Sequence, residues 1–249
     1  MRRKNTNIII ILILCVRKEL DILEISQPTT LAIKVYSEIQ RDIRSGELKP
    51  EQSLKTETLK SKYDTGTSPL REALARLSSE SFVTAIGKSG FKVSPISKQD
   101  YQQLIDLRKY LELNALRTSM KLGDINWEAK IIAAHHRMSN LEKLRNDTDA
   151  DFNERKEEMH RKYHYSLLSA CGSWWELKVL DNLTNHIERY RRVLGINLAS
   201  TDPAFDQVQE EHQKLMDAVL KKDFDKASLI LDDHRMRTYK KIKLKLENI

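Results

Sequence analysis

The sequence predicts a mainly α protein in two parts: an N-terminal winged helix-turn-helix, then an all-α antiparallel helix bundle. Three observations predict it. Gly66-Thr-Ser-Pro-Leu-Arg-Glu-Ala-Leu-Ala-Arg-Leu77 reads as one short helix whose Leu70, Leu74 and Leu77 share a face. Residues 82–86 and 91–94 alternate as two strands, with Gly87-Lys-Ser-Gly90 as the hairpin tip. From residue 98 onward the pattern is helical, and only 7 Gly and 5 Pro in 249 residues point to long helices and few tight β-turns.

Taken in order, residues 1–28 are expected to be an N-terminal extension outside the folded domains. Their apolar run from Ile8 to Val16 is flanked by Arg2, Arg3, Lys4 and then Arg17, Lys18, imitating a signal peptide. It lacks a small-residue cleavage site and is too short to span a bilayer. Residues 29–95 are the first domain. Its first helix, 30–46, carries Leu31, Val35, Ile39 and Ile43 on one face, and Gly46 stops it. A second helix covers 56–63, with Thr56 as its cap. In the third, Ser68 is expected to cap, Pro69 to stand at the first helical position, and Glu72 to complement the dipole. Pro95-Ile-Ser97-Lys-Gln-Asp100 is the junction, with Ser97 capping the next helix. Residues 98–247 form the bundle, with helices near 98–121, 126–145, 150–172, 174–195, 205–222 and 224–246.

Charge separates the two parts. The net charge is +7, and residues 29–99 hold 12 Lys+Arg against 8 Asp+Glu, whereas residues 100–249 hold 26 against 25. A basic module followed by a nearly neutral one favours a nucleic-acid head with a second function behind it. Two cysteines, Cys15 and Cys171, make no disulfide framework, so a reducing, cytoplasmic compartment is expected, with no membrane partner.

The third helix suits reading of a major groove. Its back is apolar, and Thr67, Ser68 and Arg71 stand at its exposed N-terminal end, where arginines and helix N-termini meet phosphates and base edges. At the hairpin tip, Lys88 and Ser89 are placed to reach the DNA backbone or minor groove, and Gly90 to let the chain approach closely. Ser68-Pro-Leu-Arg-Glu-Ala-Leu-x-x-Leu77 resembles the recognition helix of the GntR family of bacterial transcription regulators. Leu54-Lys-Thr-Glu-Thr-Leu59-Lys-Ser-Lys-Tyr63 is similar to that family's second helix, and Phe82 to Ser94 to its wing. The helical remainder resembles the FCD effector domain of the FadR subfamily. There are departures. Thr56-Glu57-Thr58 replaces the family's Glu-Arg-Glu, and Thr67 stands where an arginine is usual. Lys55, Lys60 and Lys62 are the candidates to supply the missing phosphate contacts; otherwise the operator differs.

Four histidines form the second constellation. His160 and His164 are i, i+4 on one helix, with Leu167, Leu168 and Cys171 continuing the same inward face. His212 and His234 lie on two later helices. Imidazoles converging inside a bundle hold Zn²⁺ or a similar ion, but taken bare such scattered histidines are more often satisfied core or surface residues. The resemblance implies the metal site, since metal-binding FCD domains carry an Asp-x3-His pair and two later histidines at comparable intervals. His160 replaces that Asp, which removes a negative charge and shifts preference toward Zn²⁺, Ni²⁺ or Cu²⁺; the alternative is a metal-free site that binds a carboxylate directly. Arg108 stands where the family often has a pocket arginine; the alternative is a surface ion pair. Asn185 and Arg189 are further effector-binding candidates, whereas His135, His136 and His186 read as structural.

The expected function is a ligand-responsive repressor that binds operator DNA as a homodimer, with a small organic acid bound in the bundle through a divalent metal, Zn or Ni. The paired histidines resemble the carbon-starvation-induced branch of the family, which implies a dicarboxylate such as glutarate. A direct metal sensor is the alternative. A helical metalloenzyme is not expected: Glu157-x-x-His160 is half of a di-iron motif, but Gln209 and Leu231 stand where the second glutamate would precede His212 or His234.

Overall fold

The computed structural model describes residues 30–87, 90–143, 150–196 and 205–248. The expectations for residues 1–28, for Lys88 and Ser89, and for the helix breaks near 146–149 and 200–203 lie outside these. Among the described residues no helix is long and apolar enough to cross a membrane.

The head opens with α1 (Leu31–Ser45), whose Val35, Ile39 and Ile43 are fully buried. The Thr30 hydroxyl accepts from the Ile33 amide at 3.3 Å, and Gly46 ends the helix at φ +83°, a left-handed conformation that glycine adopts without a Cβ clash. A short strand, β1 (Ser53–Leu54), leads into α2 (Thr56–Lys62) and α3 (Thr67–Ser79). Two expected caps are corrected. Lys55 occupies the cap position of α2 and Gly66 that of α3, each without a side-chain bond, so Thr56 and Ser68 lie inside their helices. Pro69 therefore stands third rather than first in α3, where its missing N–H is still one of the unpaired donors.

Strands β2 (Val83–Ile86) and β3 (Gly90–Val93) pair antiparallel, with Val83 opposite Val93 and Ile86 opposite Gly90. β1 adds to the other edge of β3, placing Leu54 opposite Phe91, so the sheet has three strands rather than the expected two. Two residues are too few to display an alternation, which is why the sequence does not reveal β1. Among the described residues of the hairpin, Gly87 is left-handed, at φ +55°. A side chain at Gly90 would meet the Ile86 carbonyl at 3.6 Å, an ordinary contact, so packing within the head does not demand glycine there.

The bundle comprises α4 (Lys98–Leu122), α5 (Ile125–Lys143), α6 (Ala150–Leu168), α7 (Trp174–Val193), α8 (Phe205–Leu220) and α9 (Phe224–Leu246). Ser97 caps α4 as expected, accepting from the Asp100 amide at 3.1 Å. Ser173 and Asp223 do the same for α7 and α9. Leu116, Ile131, Met138, Tyr163, Leu167 and Val219 fill the core between α4, α5, α6 and α8. Gly123 closes the corner between α4 and α5: an added Cβ would lie 2.1 Å from the Trp127 ring, whose Nε1 donates to the Ser166 carbonyl at 2.9 Å.

Head and bundle meet along α1 and α7. Arg44 of α1 donates to Glu188 of α7 at 2.7 Å, and both are buried. His186 stacks on Phe82 with ring centroids 4.1 Å apart, and its Nε2 lies 2.8 Å from the Glu80 carbonyl. Tyr190 fastens the junction by accepting from the Ser97 amide at 3.0 Å and donating to Asp100 at 2.7 Å.

The Leu70–Leu74–Leu77 face of α3 is buried against the head core, so Leu74→Ala is expected to cost about 2–5 kcal/mol by lost burial and the cavity left behind. Denaturant unfolding followed by circular dichroism measures it.

Candidate functional site

The outer end of α3 carries Thr67, Ser68 and Arg71, all exposed. Its back is held by Leu70, Ala73, Leu74 and Leu77. Arg71 and Lys55 are in no ion pair among the described residues, so both charges are available to a phosphate or a base edge. Lys62 differs. It bridges Asp42 at 2.9 Å and Glu47 at 3.0 Å, which ties α2 to α1 and leaves its ammonium already paired at the head surface. Lys60 pairs with Glu57 at 3.1 Å on the surface. Gly90 begins β3 beside the tip of the wing.

Inside the bundle, His160 and His164 of α6, His212 of α8 and His234 of α9 meet, with one nitrogen from each lying within 4.8 Å of all the others. Two packing contacts aim them. The buried Tyr163 hydroxyl donates to the His212 carbonyl at 2.8 Å, locking α6 against α8 at this level. Glu211 lies 3.3 Å from Nδ1 of His234 and pairs with Arg237, so that ring is oriented with its Nε2 free. Nε2 of His164 is 3.2 Å from Nε2 of His160 and 3.3 Å from Nε2 of His212. Nitrogens bound about 2.0–2.1 Å from one tetrahedral ion stand roughly 3.3–3.4 Å apart, so this spacing fits a shared cation. Burial first, then the neighbouring imidazoles, hold His160, His164 and His212 well below the ordinary histidine pKa. They are therefore neutral, the form that ligates a metal. Nδ1 of His164 and Nδ1 of His212 are buried without a hydrogen-bond partner.

His160, His164 and His234 line a cavity of about 140 Å³. Its walls hold five guanidiniums, Arg108, Arg161, Arg191, Arg235 and Arg237, and the carboxylates of Glu112, Glu157, Asp181 and Glu188. Leu168, Leu177, Leu180 and Ile187 supply apolar surface. Glu112 is 2% exposed and takes bonds from Arg235 at 2.8 Å and Arg108 at 3.3 Å. Burial alone would raise its pKa; the two guanidiniums outweigh burial and lower it. Arg191 pairs with Glu157 at 2.6 Å. Arg108 Nε and Arg237 Nη1 are buried with no partner, leaving donors unused in the cavity wall. Small anions meet paired and unpaired guanidiniums in such a site, next to neutral imidazoles.

The structure brings together five of the sequence-derived bundle residues: His160, His164, His212, His234 and Arg108. Arg108 is a pocket residue, and its ion pair with Glu112 is buried rather than superficial. Asn185 and Arg189 do not line the cavity. Arg189 turns to the head and donates to the Ser94 carbonyl, while Asn185 accepts from Arg161 at 3.2 Å behind the pocket wall. The helix rotates about 100° per residue, so Arg189 faces away from Arg191 and Glu188 takes the pocket position. His135 packs edge-on to Tyr163 with centroids 5.4 Å apart, outside the four-histidine cluster. The sequence reading missed Glu157, Arg161, Arg191, Arg235, Arg237 and Glu188. A signal existed for two of them: Glu157 and Arg161 precede His160 and His164 at helical spacing on α6.

The Tyr163 hydroxyl donates a second bond to a helix carbonyl, so Tyr163→Phe removes one interhelical bond while the His212 carbonyl keeps its intrahelical partner. A loss of about 0.5–1.5 kcal/mol in unfolding free energy is expected, read from chemical denaturation.

Comparison with known proteins agrees with both halves of this geometry. Residues 31–93 match the profile of the bacterial regulatory proteins of the gntR family, and residues 103–237 match the FCD domain. The chain is 35% identical over 211 residues to the HTH-type transcriptional regulator BphR of Paraburkholderia xenovorans, covering 84% of each. It is 28% identical over 206 residues to the HTH-type transcriptional repressor GlaR of Escherichia coli, covering 83% of this chain and 93% of that one. The solved structure of E. coli McbR/YncC has the same fold, with a TM-score of 0.72 at 17% identity over 87% of this chain and 98% of that one. BphR and GlaR are described as transcriptional regulators and not as enzymes. With a DNA-reading head at residues 31–93 and a helical effector domain at 103–237, this chain belongs to the GntR family of DNA-binding transcription regulators, in its FCD-bearing branch.

Proposed function

We propose that the chain is a repressor that binds a pseudo-palindromic operator as a homodimer and changes its operator affinity when a small organic acid enters the bundle. The observation that carries this reading is the opening of an imidazole cluster onto a cavity lined by five arginines. His160, His164, His212 and His234 would hold a divalent cation such as Zn²⁺ or Ni²⁺, which supplies a fixed positive charge for a carboxylate. Arg108 and Arg237 offer the unpaired guanidinium donors, and the leucines exclude water around the ligand's carbon chain. A dicarboxylate such as glutarate matches that chemistry. In the head, Arg71, Thr67 and Ser68 read the major groove and Lys55 contacts phosphate, while Lys88, Ser89 and Gly90 form the wing's contact.

The test uses full-length protein and a duplex selected from a random DNA pool. Metal content and thermal shifts are measured with dicarboxylic and hydroxy acids, with and without Zn²⁺ or Ni²⁺. An acid-dependent stabilisation that needs the metal, together with an acid-dependent change in duplex affinity, supports the reading; no acid acting on either measurement refutes it. Arg71→Ala is expected to weaken duplex binding by about 1–3 kcal/mol and to relax the sequence preference at one base pair.

The four-nitrogen set gives a second reading, a direct metal sensor, because it offers a complete coordination shell without a carboxylate ligand. Chelation alone would then abolish or restore operator binding, with no acid needed.

The homodimer has a candidate face. Leu107 and Tyr110 on α4 and Trp175 and Val179 on α7 are exposed, and Asn114 of α4 donates to Glu176 of α7 at 2.8 Å along the seam between the two helices. Apolar side chains of this size on one face favour a protein partner, and two half-sites favour a second copy. Trp175→Glu is expected to shift sedimentation toward the monomer and to reduce duplex affinity by an order of magnitude or more.

A further inference from the structure

Glu188 belongs to two places at once. Its carboxylate lines the cavity, and Oε1 accepts from Arg44 of the head at 2.7 Å. Arg192 shares that oxygen at 3.1 Å, and Arg161 lies 3.8 Å from Oε2. The Arg44 and Glu188 side chains are 8% and 7% exposed, so water screens the pair little. Burial alone would raise the Glu188 pKa, but Arg44 and Arg161 outweigh it and hold the carboxyl in its charged form. Next to it on α7, His186 and Arg189 face the head, whereas Thr184 and Arg191 face the cavity.

We infer that Glu188 and Arg44 are the coupling pair through which an anion in the cavity sets the orientation of the DNA-reading head. The inference rests on the acid-responsive reading given above. A carboxylate entering the cavity competes for Arg161 and repels Glu188. Both effects drive the Glu188 charge onto Arg44 and fasten α1 to α7. Arg161, at 3.8 Å from Oε2 against 2.7 Å for Arg44, otherwise draws part of the Glu188 charge toward the cavity, and an anion that takes Arg161 removes that competing pull. Arg44 lies on α1, away from the exposed end of α3, and does not line the cavity. It therefore touches neither the anion nor DNA and acts as a positioning residue. Any contribution it makes must appear in the coupling between two sites rather than in either site alone.

The experiment takes full-length protein, glutarate and succinate as probes with Zn²⁺ present, and the selected duplex. Wild type, Arg44→Met and Arg44→Lys are compared. In wild type the probe is expected to change duplex affinity by about tenfold, a typical coupling between sites. In Arg44→Met the probe still binds within about twofold of wild type, because the cavity wall is intact, but the probe-dependent change in duplex affinity falls below about twofold. Arg192 remains beside Glu188, so the carboxylate is not left without a partner in this variant. Arg44→Lys restores part of the change, since it keeps the charge while losing the fork geometry. Hydrogen exchange across residues 31–45 is expected to slow on probe addition in wild type and to stay constant in Arg44→Met. A thermal melt confirms that the variants are folded; should Arg44→Met unfold, Arg44→Lys with hydrogen exchange carries the comparison. Retention of the full probe-dependent change in Arg44→Met overturns the inference while leaving the acid-responsive reading standing. A wild type that binds the probes but shows no change in duplex affinity overturns both.

Discussion

The packing of α7 is the constraint on which the rest depends. From Asn185 to Arg191 every residue is buried, although the segment reads Asn-His-Ile-Glu-Arg-Tyr-Arg and contains a single aliphatic side chain. A helix lying on one partner buries a single stripe. Burial around the whole circumference requires partners on both sides, here α1 and the head loops on one side and the cavity with α4 on the other. Burying so many polar groups is tolerable because each has a specific partner: Arg44 for Glu188, Glu80 for His186, Ser94 for Arg189, Asp100 for Tyr190 and Glu157 for Arg191. Those pairings also fix where the head sits. The DNA-reading surface is thus oriented by a helix whose opposite face is the wall of a ligand cavity.

The cavity follows the same logic in its charges. Arginines and glutamates in a partly buried space are stabilised by each other, as Glu112 is between Arg108 and Arg235. Some donors still remain unpaired, at Arg108 Nε and Arg237 Nη1. An unpaired buried donor costs free energy that an anionic ligand can recover, which is the physical basis of the acid-responsive reading proposed above. The imidazoles play the complementary part. Kept neutral by burial and by one another, they are poor partners for the anion themselves and good ligands for a cation that would attract it.

Much of the head was legible in the sequence because it depends on local rules. The leucine spacing of α3, the Gly46 stop and the strand alternation each arise from geometry within a dozen residues. The misreadings were also local. Ser68 and Thr56 have capping chemistry, yet the cap positions fall two residues earlier at Gly66 and one residue earlier at Lys55. The four histidines were legible as a set through their spacing and through resemblance to a family, and they do meet. Asn185 and Arg189 lie off the cavity lining, and the polar stretch around them gives no periodic signal of which face is inward. Lys62 looked like a free cation, and only the approach of Asp42 and Glu47 from α1 and its following loop makes it structural.

The sequence by itself determined the order of elements, the reading end of α3 and the identity of the histidines, since these follow from periodicity and residue chemistry along one chain. The tertiary structure alone decided which charges are paired, which arginines reach the cavity, and that Glu188 touches both cavity and head. Such facts depend on side chains far apart in sequence, as Arg44 and Glu188 are, and no spacing rule spans that distance. Hydrophobic periodicity records whether a residue is buried, whereas the partner it is buried against is set only when the helices have packed.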